Sequence, residues 1–567
     1  MKTETSRASL IFACSLACAA TLYAACLAWG PLYPTCADEI NAWADSLRLL
    51  GERRLTDYEH GPLAFELSAS IELIRYLVFR ALGYVRSPQD FLVTAIADPS
   101  SHYRILHVLS ACAGLGCLAA IYRLGRIFGG PLVGALSALF CATNLTFILM
   151  TTIYKEDPFY WFFLFVAMER SWAAAQGPDR RAAALGGAAV GAALSAKYLA
   201  LCGLPLLGLP ILRGDRTRFL QVGLSLICAG AVFLALFPFL VTNSGDVMRS
   251  MRALSAGTVG QSSNPPLALW NYLRFHLPNL AGFVVPVLGV IEFCRRLRED
   301  PKGPILLAAA PVGLLLLMGL RRSISYAYYI FPVAAFLWIL ASSLAVHVSR
   351  NSSGWRKGLP FILCLLPLFD GAFLRGAVKY VILATGPDTR VLAQNYLEAR
   401  ATDGACVLVN MGSAGENIFG PQLVPANLPQ GHGAYTNARV KAFAGMNGKK
   451  FALRIVNHEP GWIAESGRLA PESAKGCEWL VLGRHGRLAA VEYGLSGENP
   501  EIRTSAPAGF QRLETIESYP HPHSKSYSVF SSLDYEELRS VSVLDLWRNR
   551  AMGLSFDIYK ASGGGNG

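Results

Sequence analysis

The chain has 567 residues, 53% of them hydrophobic and 16% charged, with a mean hydropathy of +0.35. Soluble domains carry about 25% charged residues, so the composition argues against one large soluble enzyme and against a disordered chain. Fifty-one Lys and Arg against 39 Asp and Glu give +12, an excess to be tested first against membrane topology, because Lys and Arg collect in cytoplasmic loops.

A membrane crossing takes about 20 apolar residues. Runs of that kind recur from residue 10 to about 384. They read as spans at 10–29, 104–122, 131–150, 158–175, 182–196, 198–212, 219–241, 277–293, 304–320, 328–347 and 358–373. The fold class is thus a polytopic α-helical membrane protein of about eleven transmembrane helices. Residues 10–29 read as an uncleaved helix, since the run is long for a signal peptide and no A-x-A site follows. The spans 182–196 and 198–212 are short and could form one re-entrant unit.

With Lys2 and Arg7 in the cytoplasm, the inner loops hold Arg123 and Arg126; Arg180 and Arg181; Arg213, Arg216 and Arg218; Arg295, Arg296, Arg298 and Lys302; Arg350, Arg356 and Lys357. Every expected inner loop is basic, as the positive-inside rule asks. The odd number of spans leaves the C-terminal region outside. Residues 30–103 and 242–270 are too polar to cross and read as outer loops of a membrane domain over 1–384. Within the first, 62–82 sets Glu66, Glu72, Arg75 and Arg80 among Leu, Ile and Phe, the pattern of a helix lying in the interface.

From about 385 the apolar runs shrink to strand length: CVLVNM (406–411), EWLVLG (478–483) and GLSFDIYK (553–560). Residues 388–400 read as a helix capped by Asp388 or Thr389, with Val391, Leu392, Tyr396 and Leu397 on one face. Alternating helix and buried strand predicts a soluble extracytoplasmic α/β domain over 385–567. Thirteen cysteines, none in a CxxC pair, argue against a zinc module or disulfide scaffold. Cys406 and Cys477 could pair in an oxidising compartment; two separate buried thiols are the expectation.

Four features could carry chemistry. Asp38 and Glu39 open the first outer loop. Asp38 is either the cap of an amphipathic helix (Ile40, Trp43, Leu47, Leu50) or a general base whose proton affinity the lipid interface raises. Glu59 and His60 precede Pro62 and are either loop polarity or a metal or phosphate contact. Tyr154-Lys155-Glu156-Asp157-Pro158 is either a solvated turn or a site in which Asp157 orients an acceptor or cation and Lys155 pairs with it or with a phosphate. Lys197, Arg249, Arg252, Arg321 and Arg322 lie where the positive-inside rule would not put them; cations there suit an anionic lipid head group or pair with nearby acids. No GxGxxG, Walker A, HExxH or GxSxG motif stands in a suitable context.

The order of these features resembles the GT-C class of polytopic glycosyltransferases, in particular the protein-mannosyltransferase and lipid A aminoarabinose-transferase group. The residues that carry it are Asp38-Glu39, then EHGPL (59–63), YRLGRIFGG (122–130), YKEDP (154–158), AKYLALCGLPLL (196–207), RRSISYAYYIFPVAAFLWIL (321–340) and DTRVLAQNYLEARATDGACVLV (388–409). The resemblance covers most of the chain and is better for the superfamily than for the substrate. It implies an inverting transfer from a polyprenyl-phosphate sugar to an extracytoplasmic protein, lipid or polysaccharide, in the bacterial inner or plasma membrane, with no nucleic acid involved. Asp38 is then the base, with Glu39 as its alternative, and Asp157 the second acid. His60, Lys155, Lys197, Arg321 and Arg322 face the donor phosphate. The family's K/H-P-P-L element becomes His60-Gly61-Pro62-Leu63, with Gly61 in place of the first Pro. Some relatives bind a divalent metal near it, for which Glu59 is the ligand candidate. A transporter or lipid flippase would instead show inverted repeats and broken helices with polar midplane sites; no internal repeat is evident. A non-catalytic scaffold would need neither Asp38 nor Asp157.

Overall fold

The computed structural model describes residues 2–29, 43–49, 61–98, 100–213, 217–258, 269–270, 272–299, 302–320, 327–354, 358–369, 373–409, 423–426, 434–446, 448–455, 474–484, 506, 509–516 and 555–562. They fall into two compact units. One takes in Met1–Leu27, Thr56–Ser68 and Ile105–Tyr380; the other Ala28–Leu55, Ala69–Arg104 and Val381–Gly567.

The first unit is helical. Its elements begin with α1 (Lys2–Trp29); the 43–49 helix, α2, belongs to the second unit. In chain order there follow α3 (Pro62–Ala81), whose residues from Ala69 belong to the second unit, α4 (Pro88–Ala97), also of the second unit, and then α5 (Ser100–Gly129), α6 (Pro131–Thr143), α7 (Leu145–Thr152), α8 (Glu156–Gln176), α9 (Arg180–Ala196) and, after a 3-10 stretch at Tyr198–Arg213, α10 (Thr217–Ala235). Further helices run over Ser244–Thr258, Val284–Glu299, Lys302–Leu320, Phe331–Asn351 and Leu374–Ala384. Among the described residues, five stretches are long and apolar enough to cross a membrane, at Glu4–Ala28, Ser100–Gly129, Arg218–Ala235, Ala327–Asn351 and Phe361–Ala384. The pair α6–α7 would make a sixth, bent by 65°. The chain is a multi-pass membrane protein.

Local chemistry sets several of these boundaries. Asn144 bends the α6–α7 pair: its Oδ1 accepts from Phe147 N at 3.0 Å, capping α7, while its Nδ2 donates to Leu280 O at 2.9 Å. Pro205 and Pro210 interrupt the amide ladder after α9, and that stretch winds as 3-10 turns. Small residues let α9 and α10 touch backbone to backbone. A Cβ on Gly187 would lie 2.0 Å from Ser225 O, and one on Gly191 2.3 Å from Ala229 O. Residues 244–258, expected within an outer loop, are helical.

Charged residues gather at both ends of α8. Its first turn carries Glu156 and Asp157; twelve residues on, about 18 Å at helical rise, Glu169 pairs with Arg123 at 2.8 Å. Arg123 lies near the end of α5, where Arg296 donates to Phe128 O at 3.0 Å and to Ser343 Oγ at 2.8 Å. Buried Glu292 accepts from Arg295, Arg296 and Ser343. Arg123, Arg218 and Arg296, expected in inner loops, therefore sit at the α8 end remote from the acidic turn, Arg218 donating to Ala174 O and Gly177 O.

In the second unit, α2, α4 and the Ala434–Gly445 helix share a core of Trp43, Leu47, Phe91, Leu92, Ala95, Tyr103, Ala438 and Ala442. Buried Glu72 accepts from Arg75 at 2.7 Å and contacts His102 Nδ1; Arg75 also donates to Ser101 at 2.8 Å. Leu73, Ile74, Leu77 and Val78 of α3 are exposed. A six-stranded sheet comprises β1 (Cys406–Val409), β2 (Val424–Pro425), β3 (Lys450–Ile455), β4 (Trp479–Arg484), β5 (Phe510–Ile516) and β6 (Ser555–Ala561), in the order β2-β3-β1-β4-β6-β5. The first four are parallel; β6 runs antiparallel to β4 and β5. Val407 and Val409 point to one apolar layer and Leu408 to the other, as befits a central strand covered on both faces.

Two expectations are corrected here. Cys406 and Cys477 form a disulfide with Cα atoms 4.5 Å apart, because β1 and β4 are neighbours in the sheet. The helix over 388–400 forms as Thr389–Arg400, capped by Asp388, whose side chain accepts from Arg390 N. It buries Ala393 and Leu397, however, and leaves Leu392 exposed.

Candidate active site

The acidic turn buries three consecutive charged residues, Lys155, Glu156 and Asp157, in the first unit. Helix α7 ends at Thr152 and α8 starts at Glu156. Acids in a first helical turn are favoured by the positive end of the macrodipole, and Pro158 fits there because its missing amide proton would have no helical partner. Lys155, Glu156 and Asp157 are 3%, 5% and 0% exposed. Charges so buried demand partners.

Lys197 supplies them. It ends α9, its amide donating to Ala193 O. Its Nζ lies 2.8 Å from Asp157 Oδ1, 2.8 Å from Oδ2 and 2.9 Å from Glu156 Oε1. The ammonium also sits over two rings, 4.8 Å from the Tyr329 centroid and 5.4 Å from that of Tyr328. Lys155 donates to Tyr328 Oη at 3.4 Å and lies 4.9 Å from the same ring centroid. Two ammonium groups thus face one aromatic ring, and the four charges sum to zero.

In this turn ahead of the 158–175 span, burial pushes the Asp157 carboxyl up to about 6, against the opposing pull of Lys197. Burial draws the Lys197 ammonium down, and Asp157 and Glu156 more than restore it, so it lies above the ordinary range. Glu66 in the second turn of α3 is raised by burial to about 7.

The turn is anchored to its surroundings. Thr152 Oγ1 and Tyr380 Oη are hydrogen-bonded at 2.7 Å. Below them Phe147, Trp161 and Phe331 stack, with ring centroids 5.5 Å apart for Phe147–Phe331 and 4.1 Å for Trp161–Phe331.

The structure brings together Lys155, Asp157 and Lys197. Asp38, Glu39, Glu59, His60, Arg321 and Arg322 lie outside the described residues. Gly61 is described, and it abuts the Ser195–Ala196 end of α9, immediately before Lys197. Lys155 was expected to pair with Asp157 or with a phosphate; the ion pair of Asp157 in place is with Lys197, 40 residues away in sequence, the pairing with a nearby acid that was open for that cation. Arg249 pairs with Asp246 at 3.6 Å on an exposed helix face. Sequence reasoning missed the roles of Glu156, Tyr328 and Tyr329. The signal was there in the KED run and in the doubled aromatics of YAYYIF, read as span-forming residues. Among the described residues no group of three or more His, Cys, Asp or Glu could hold a metal ion, and Glu156 and Asp157 already share an ammonium.

No protein-family model matches the chain, and no curated protein does. Among solved structures it is similar to the archaeal oligosaccharyltransferase AglB from Archaeoglobus fulgidus in complex with an inhibitory peptide and a dolichol-phosphate. The TM-score is 0.45 at 9% identity, over 83% of this chain and 69% of that one. It is also similar to ArnT from Cupriavidus metallidurans bound to undecaprenyl phosphate, with a TM-score of 0.45 at 12% identity, over 84% of this chain and 94% of that one. At this level of identity the chemistry has to be read from the residues of the chain itself.

Proposed function

We propose that the chain is an integral membrane glycosyltransferase that moves a sugar from a polyprenyl-phosphate donor to an extracytoplasmic acceptor with inversion at the anomeric carbon. The observation that carries this reading is the buried Lys197–Asp157–Glu156 cluster, with Lys155 against Tyr328, at the α8 end remote from the arginine-rich ends. Buried charge of both signs is costly to retain. An aqueous turn needs none of it, whereas transfer of an anionic leaving group beside an acceptor hydroxyl needs both.

The step is a single displacement. The acceptor hydroxyl attacks the anomeric carbon from the face opposite the phosphate, and the new C–O bond forms as the bond to the phosphate oxygen breaks. The hydroxyl proton passes to the Asp38 carboxylate, with Glu39 as the alternative base. The bonding electron pair leaves with the lipid phosphate. A positioned base contributes about 10²–10⁴-fold, and cations at the place where charge develops contribute a comparable factor. His60, Lys155, Lys197, Arg321 and Arg322 are the cations for that phosphate, and Asp157 orients the acceptor. Should a divalent metal bind, Glu59 is its ligand and it would neutralise phosphate charge. One-step displacement inverts, by the logic that separates inverting from retaining glycosidases.

The C-terminal sheet lies outside the cytoplasm in this reading. The Cys406–Cys477 disulfide supports that placement, because disulfides persist in oxidising compartments. The sugar is a hexose or pentose, and the acceptor a protein, lipid or polysaccharide. The test is Asp38→Asn. Sugar transfer should disappear while membrane insertion stays normal; unchanged transfer removes Asp38 from the mechanism.

A further inference from the structure

The stretch 61–64, which carries Gly61-Pro62-Leu63, is fastened at two points. Tyr154 is 1% exposed and its hydroxyl donates to Ala64 O at 2.5 Å. Its ring meets Phe159 edge-on, with centroids 6.1 Å apart. On the other side, a Cβ on Gly61 would lie 2.0 Å from Ala196 O and 2.5 Å from Ser195 O. Only a residue without a side chain lets the chain rest on those carbonyls, and neither Ala nor Pro fits at 61.

The two fasteners are adjacent in sequence to the two lysines of the cluster. Tyr154 precedes Lys155, and Ala196 precedes Lys197. A phenylalanine at 154 would fill the same volume, so the hydroxyl is not there for packing. A buried hydroxyl costs free energy unless it is bonded, and this one is spent on a carbonyl in the first turn of α3. Neither fastener needs to touch a substrate. What they fix is the distance between one strip of chain and two ammonium groups.

We propose that Tyr154 is a positioning residue that, with the bare Gly61, registers the Gly61-Pro62-Leu63 strip against Lys155 and Lys197, so that strip and lysines meet one donor phosphate. This rests on the reading of the chain as a polyprenyl-phosphate-sugar transferase. It adds an assignment that the charged residues alone do not contain: donor affinity depends on an uncharged hydroxyl and on an absent side chain.

The experiment measures binding of undecaprenyl phosphate to the full chain in nanodiscs, together with the melting temperature. Tyr154→Phe should bind the lipid phosphate about tenfold more weakly, while the melting temperature falls only by the small amount that one lost internal hydrogen bond explains. Gly61→Ala should weaken binding at least as much. Wild-type affinity in Tyr154→Phe would overturn the positioning role and leave the donor assignment standing. Loss of binding only in step with a larger fall in melting temperature would overturn it in favour of a structural role. A wild-type protein that does not bind undecaprenyl phosphate would overturn the donor reading itself, and this inference with it.

Discussion

Lys197 and Asp157 meet in a two-pronged contact, the ammonium nitrogen 2.8 Å from each carboxylate oxygen, with Glu156 as a third acceptor at 2.9 Å. The contact joins the end of α9 to the start of α8 and makes the acidic turn a single charged unit. Removing one partner strands the others. Lys197→Met should therefore destabilise the membrane unit by about 3–5 kcal/mol, the usual cost of an uncompensated buried charge. Lys197→Met combined with Asp157→Asn should recover part of that loss without recovering transfer. Thermal unfolding beside a transfer assay separates the two effects; a single variant as stable as wild type would contradict the burial of the pair.

Asp157 also predicts a pH profile. Its carboxyl is raised by burial to about 6. The ionised form holds Lys197, so activity is present above that value and lost as pH falls through it. Transfer should show an acid limb near pH 6, where an unperturbed aspartate would place it near 4. Asp157→Asn should cut transfer by about 100-fold, the cost of a misplaced acceptor, and take that limb away. Glu66, raised to about 7, would produce a second limb only if it too takes part, and Glu66→Gln tells the two apart. A profile flat down to pH 5 would remove Asp157 from the chemistry.

The disulfide closes a loop with a sequence separation of 71 between Cys406 and Cys477. A loop of that size is worth about 4 kcal/mol in chain entropy. Cys406→Ala should lower the melting temperature of the sheet-bearing unit. A maleimide reagent should reach residues 406 and 477 only after reduction and unfolding. Labelling of both thiols in the untreated protein would show that the bridge is not formed.

How much of this was legible in the sequence depended on how local each signal is. Asp388 as a cap and the helix after it needed only neighbouring residues, and both formed. Its buried face did not follow from the pattern. Ala393 and Leu397 face inward because the sheet they dock on selects them, and the sheet includes three strands, at 424–425, 450–455 and 510–516, too short or too polar to stand out. The disulfide depended on strand order across 71 residues. At the site, the KED turn was visible because three charges among apolar spans are unusual. That Lys197 is its counter-ion, and Tyr328 and Tyr329 its aromatic wall, could not be read from spacing, since the elements that supply them come together only in the folded unit.

Topology offers another check. Arg123 and Glu169 pair at the α8 end away from Asp157, and the proposed orientation puts that end, with the Arg180–Arg181 loop, on the inner side. In a background free of reactive thiols, Arg180→Cys should resist a membrane-impermeant maleimide in intact cells. Asp246→Cys, on the exposed Ser244–Thr258 helix, should be labelled. The opposite pattern would place the acidic turn in the cytoplasm and end the proposed orientation.

The most direct measurement is mass spectrometry of polyprenyl-phosphate sugars and surface glycans in a strain lacking this chain. The account predicts that one polyprenyl-phosphate sugar accumulates and that one surface glycan loses the corresponding sugar. Both are restored by the wild-type chain and not by Asp38→Asn. Lipid-linked sugars and glycans identical to those of the parent strain would contradict it.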